Sequence, residues 1–127
     1  MEENLITQVK AISLQDVRYS SESYHFILDS MNALADKQEA LHHISASDFL
    51  DGLIDFGWDS YGPLLGLVLH NWGVYAPMDI GYIVFNLIDS GILGKNQEDR
   101  LEDFTRHTAL EKIMNGDFEA QNLDCTL

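Results

Sequence analysis

Apolar residues recur along the chain at helical intervals, and Gly, Pro and Ser fall between the runs. Leu5, Ile6, Val9 and Ile12 make one stripe, which predicts a short first helix. Ser20, Ser21 and Ser23 then offer an N-cap and Glu22 suits a first turn, so a long helix is expected from about Ser21 to Leu41, burying Tyr24, Ile27, Leu28, Met31 and Leu34. Ser45 followed by Asp48 is a loose capping box for a third helix, with Asp in the place of Glu. At about 100° per residue, Phe49, Leu50, Leu53, Ile54 and Tyr61 share its inner arc, and Asp48, Asp51, Asp55 and Asp59 fall on the opposite edge.

Gly62 and Pro63 end that helix and start a fourth, PLLGLVLHNW. It is apolar on nearly every side and must be enclosed or lie at a subunit contact. Gly73 closes it as a left-handed residue. Asp79 is expected to cap a fifth helix with Ile80, Ile83, Val84, Leu87 and Ile88 inward, and Gly91 stops it. Beyond it, Ile92–Leu93 and Leu101–Phe104 read as two short extended pieces around a polar turn. The expected fold is therefore mainly α, a five-helix single domain, winged-helix-like over residues 45–104 if that two-stranded hairpin forms. Within it, residues 1–41 form an N-terminal helical pair, 45–104 the compact core and 105–127 a partly mobile tail that holds one helical turn at ALEKIM.

Charge changes the picture most. Against 21 acidic residues stand 7 basic ones, a net charge of -14. The field repels phosphate backbones and anionic lipid surfaces and favours basic partners. The pattern of two turn-linked helices in residues 70–95 is that of a DNA-reading helix-turn-helix, yet no Lys or Arg lies between Lys37 and Lys95, while Glu39, Asp48, Asp51, Asp55, Asp59, Asp79 and Asp89 do. A DNA reader needs several cations to neutralise phosphates. Neither nucleic acid nor membrane is therefore an expected partner.

Composition adds little beyond class. The chain has 127 residues, with 46% hydrophobic and 22% charged, an ordinary globular balance able to bury one core. A single cysteine, Cys125, allows neither an internal disulfide nor a Cys-pair zinc motif, which suits a reducing cytoplasm. The first residues carry acids where a signal peptide needs positive charge, and no apolar run approaches the ~20 residues of a membrane span.

RYSSESYHFILDSM, HISASDFLDGL, YGPLLGLVLHNWGV and DIGYIVFNLIDSGILGKNQEDRLEDF together resemble the Minf-type family of small bacterial proteins. The likeness spans about residues 17–104 and is most specific from Gly81 to Lys95 and in the spacing of Asp99, Asp103 and Phe104. The chain departs from the family pattern at Tyr82, where an acid is common, and at Trp58. The resemblance implies a compact bacterial domain and carries no activity, cofactor or site.

The chemistry-bearing residues favour binding over catalysis. Carboxylates at helical spacing are ligands in bundle metal sites, but those sites place acids inward beside Glu-x-x-His pairs. The ladder Asp48, Asp51, Asp55 and Asp59 faces away from its own apolar stripe and includes no His, so a solvated face, or a face for a basic partner, is its expected use. His25, His42, His43, His70 and His107 lack metal-site spacing and read as capping or loop histidines. Neither a Gly-x-Ser-x-Gly elbow nor a glycine-rich phosphate loop occurs. No metal or cofactor is expected and no catalytic residue is assigned. Trp58, Trp72, Tyr75 and Tyr82 cluster around inter-helix turns, where aromatics serve either packing or an interface. The expected function is a non-enzymatic protein-protein interaction module of the cytoplasm, engaging a partner or a second copy through Trp72, Tyr75, Tyr82 and the four aspartates. The alternatives are a small metal-dependent enzyme using His and Asp and, ranked lower, a winged-helix DNA regulator.

Overall fold

A computed structural model of the chain describes residues 2–37, 46–93, 104 and 107–114. Within them the backbone forms α1 (Glu2–Gln15), α2 (Ser21–Lys37), α3 (Ala46–Tyr61), a 3₁₀ turn (Gly62–Leu64), α4 (Leu65–Asn71), α5 (Pro77–Asp89) and α6 (Thr108–Met114). The mainly helical class is as expected, and there is no strand among the described residues.

Most of the periodic positions point inward as their spacing requires. Val9 and Ile12 of α1, Tyr24 and Ile27 of α2, Phe49, Leu50 and Leu53 of α3, Leu65 and Leu69 of α4, and Ile80, Ile83, Val84 and Leu87 of α5 form one buried cluster. Leu28, Met31, Leu34, Ile54 and Ile88 are half-buried against it. Phe26 joins the core from a flank of α2 that the stripe omits. Two expected inner residues lie outside it: Ile6 is exposed on α1, and Tyr61 is exposed at the end of α3. The described part of α2 ends at Lys37, so its expected extension to Leu41, and His42 and His43, lie outside the described residues.

Gly73 and Gly91 end their helices in the same way. Each has positive φ, +94° and +84°. The N–H of Val74 bonds to the carbonyl of Leu69 at 2.9 Å, and that of Ile92 to Leu87 at 3.0 Å, the six-residue closure of a left-handed helix cap. Gly73 has a second constraint, because a Cβ there would stand 1.9 Å from the Arg18 carbonyl oxygen. The link between α1 and α2 passes directly over this turn, where Ser20 N–H donates to Trp72 O at 3.1 Å.

The cap at Gly91 also corrects the expected hairpin. The N–H groups of Ile92 and Leu93 both bond to Leu87 O, so these residues close α5 and make no ladder. Phe104, the far end of the expected second strand, lies in a 3₁₀ turn, and residues 94–103 lie outside the described residues. Phe104 is buried over Gly81, whose Cβ would come within 2.8 Å of the ring, and meets Phe85 edge-on at 6.4 Å.

The start of α5 is a second correction. Ala76 is the N-cap in extended conformation and Pro77 the first helical residue, while Asp79 sits inside the first turn. Its Oδ2 reaches back to accept the N–H groups of Tyr75 and Ala76 at 2.9 and 3.1 Å, satisfying donors that the helix leaves open. The segment ALEKIM belongs to α6, a two-turn helix with Leu110, Ile113 and Met114 buried against α3 and α4.

Candidate functional site

Two histidines fix α6. His107 precedes it, is only 8% exposed, and accepts the N–H of Leu110 on Nδ1 at 3.2 Å, so its ring acts as an N-cap. With Nδ1 accepting, Nε2 carries a proton and donates to Asp51 Oδ1 at 2.7 Å. At the other end, His70 Nε2 lies 2.6 Å from the carbonyl of Met114 and must donate to it. These bonds tie α6 to α3 and α4. They also use both ring nitrogens of His107, which leaves its imidazole no lone pair for a substrate.

Held in this position, α6 forms a groove with the outer flank of α3. Its volume is about 790 Å³, and its walls are Ile54, Asp55, Trp58 and Asp59 from α3 and Thr108, Ala109, Lys112 and Ile113 from α6. Counting 100° per residue, Ile54 borders the inner arc of α3 and Trp58 falls between that arc and the Asp edge, so one wall offers apolar surface and carboxylates side by side. Trp58 is 36% exposed, and Asp55 and Asp59 are exposed at the rim. Among the described residues neither carboxylate has an ion-pair or hydrogen-bond partner, Lys112 included. The groove therefore combines an apolar floor, a wettable indole and two carboxylates that are unpaired among the described residues.

The four aspartates have separate fates. Asp55 and Asp59 line the groove, Asp51 pairs with His107 while remaining 65% exposed, and Asp48 lies exposed nearer the start of α3. The three aromatic candidates do not join them. Trp72 is half-buried between Phe26 and Tyr61, with ring centroids at 5.4 and 5.8 Å. Tyr82 is half-buried beneath the Arg18 guanidinium, which stands 4.5 Å from its ring centre. Tyr75 is 60% exposed, edge-on to His70 at 5.2 Å. Trp58, noted with the other turn aromatics but not among the expected interaction residues, completes the groove together with the α6 wall. The signal for Trp58 was its angular position at the border of the apolar arc. The one local sign of α6 was the helical turn expected at ALEKIM.

A second polar cluster joins the α1–α2 link to α5. Arg18 donates from Nε and Nη2 to the two oxygens of Asp16 at 2.8 and 2.7 Å, a fork-to-fork pair. Asn86 donates to Asp16 Oδ2 at 2.9 Å and to the Tyr24 hydroxyl at 3.0 Å. The buried Tyr19 hydroxyl donates to Asp79 Oδ1 at 2.5 Å, the length of a charge-assisted bond. The Arg18 hydrogen bonds, with help from Asn86, hold the Asp16 carboxyl well below the usual carboxylate range. Burial first, and the Asp79 bond second, push the Tyr19 phenol well above its usual range, and burial likewise raises Tyr24. Both carboxylates here are hydrogen-bonded within the chain, so the cluster joins helices.

Among the described residues no three His, Cys, Asp or Glu stand together as a metal site, and no helix is long and apolar enough to cross a membrane. The chain matches no protein-family model, no curated protein and no solved structure.

Proposed function

We propose that the chain is a non-enzymatic, cytoplasmic protein-binding module that engages a protein partner through the α3–α6 groove. The observation that carries this reading is the combination in one concavity of an exposed indole, an apolar floor of Ile54 and Ile113, and two carboxylates without partners among the described residues. Large aromatic side chains beside apolar pockets are the usual energetic centres of protein interfaces. The histidines nearest the groove act as fasteners for α6, which favours binding over acid-base chemistry. Repulsion makes a second copy the weaker occupant, because each chain carries a net charge of -14 and would bring the same carboxylates together.

A photo-crosslinking amino acid placed at position 58 in living cells tests this. The expected result is a discrete adduct with another protein, absent when the probe is at exposed Asp29 on α2. Equal labelling from both positions, or none from 58, contradicts the reading.

A further inference from the structure

We infer that the groove takes a basic amphipathic helix, whose apolar side packs on Trp58, Ile54 and Ile113 and whose Lys or Arg residues meet Asp55 and Asp59. This rests on the protein-binding reading above and names the chemistry of the partner. Three observations support it. First, residues 46–93 contain six aspartates and neither Lys nor Arg, so the α3 wall and the turn after it offer acceptors to a cationic partner and no competing cation. Lys112 on the opposite wall is the single cation lining the groove, and among the described residues it pairs with neither Asp55 nor Asp59.

Second, exposed apolar side chains are not confined to Trp58. Tyr61 at the end of α3 is exposed, and Leu64 in the 3₁₀ turn and Leu67 in α4 are each 55% exposed, following Trp58 at intervals of three residues. In the groove itself, a partner carrying charge alone would leave Trp58 and Ile54 wet, whereas an amphipathic one covers them. Third, α3 and α6 present no sheet edge, so recognition by an added strand has no template here. Two helices flanking a groove instead read the side chains of a third, through anchors on one helical face. An acidic or neutral helix would fill the same volume and leave the carboxylates desolvated without partners, an unfavourable outcome.

Three synthetic helical peptides of about 18 residues serve as probes, each with the same leucine face and with Lys, Gln or Glu on the other. Binding to the full chain is measured by fluorescence anisotropy. The Lys peptide is expected to bind at least about tenfold more tightly than the Gln peptide, and the Glu peptide weakest. W58A and the double variant D55N/D59N should each weaken the Lys peptide about tenfold, while the remote double variant D29N/D89N, equal in charge change, should alter it less than about twofold. Circular dichroism shows that each variant is folded.

Equal weakening by the groove and remote pairs would reduce the attraction to bulk charge and overturn the inference. So would equal affinity of the Lys and Gln peptides with W58A still weakening both, but the groove would then remain a protein-binding site without a basic preference. No binding of any peptide overturns the basic-helix proposal, and if no adduct forms from position 58 the wider reading fails as well.

Discussion

The α1–α2 link and the outer flank of α3 are both rich in carboxylates and aromatic rings, yet they use them oppositely. At the link, Asp16 is held by Arg18 and Asn86, Arg18 also covers Tyr82, and Asp79 takes the Tyr19 hydroxyl together with two backbone N–H groups. On α3, Asp55 and Asp59 face solvent without an ion-pair partner among the described residues, and Trp58 leaves a third of its surface uncovered. The aspartates of these two regions thus fall into two groups. One is committed to joining helices, and the other is available to something outside the chain.

Substitutions sharpen that division. The largest effect is expected at Gly73, where the link crosses α4: G73A combines an unfavourable positive φ with a clash against the Arg18 carbonyl, and should cost about 3 kcal/mol or more in urea unfolding. Next comes Y19F, which removes a buried charge-assisted bond and should cost about 1–2 kcal/mol. The raised Tyr19 pKa gives this contribution a sign in pH. It is complete below the phenol's unfolded value near 10 and fades as pH rises above that, so the wild type should lose stability in alkali and Y19F should lose less.

Asp16 works in the other direction, because its folded pKa is depressed. Its contribution is complete above the unfolded carboxylate value near 4 and falls away as pH drops through that value toward the lower folded one. D16N should therefore cost about 1 kcal/mol at neutral pH, discounted for the half-exposed Arg18, and show a shallower acid limb in thermal melts. The smallest effect on stability is expected from D55N/D59N. With no partner to lose among the described residues and two charges removed from a strongly negative molecule, its melting point should stay level or rise slightly.

Legibility in the sequence followed the range of the interactions. The helices were readable because their signals are local: apolar spacing placed α2, α3 and α5, and Gly73 and Gly91 marked helix ends by their conformational freedom. The solvent-facing Asp edge of α3 followed from angular position alone. What stayed hidden depends on contacts between distant residues. His70 meets Met114 across 44 positions and His107 meets Asp51 across 56, and those bonds turn a segment read as a single turn into a docked helix and a groove wall. The same cause leaves Trp72 and Tyr82, expected as surface anchors, half-buried, since their covers, Phe26 and Arg18, come from elements far along the chain.

The most direct test of the division between committed and available charge is a comparison of melting temperatures for D16N and D55N/D59N at neutral pH and low salt. D16N should melt roughly 3–5 °C below the wild type. D55N/D59N should melt at or above it while losing peptide affinity. A fall of equal size in D55N/D59N would show that those aspartates hold the fold together, and would remove the basis for assigning them to a partner.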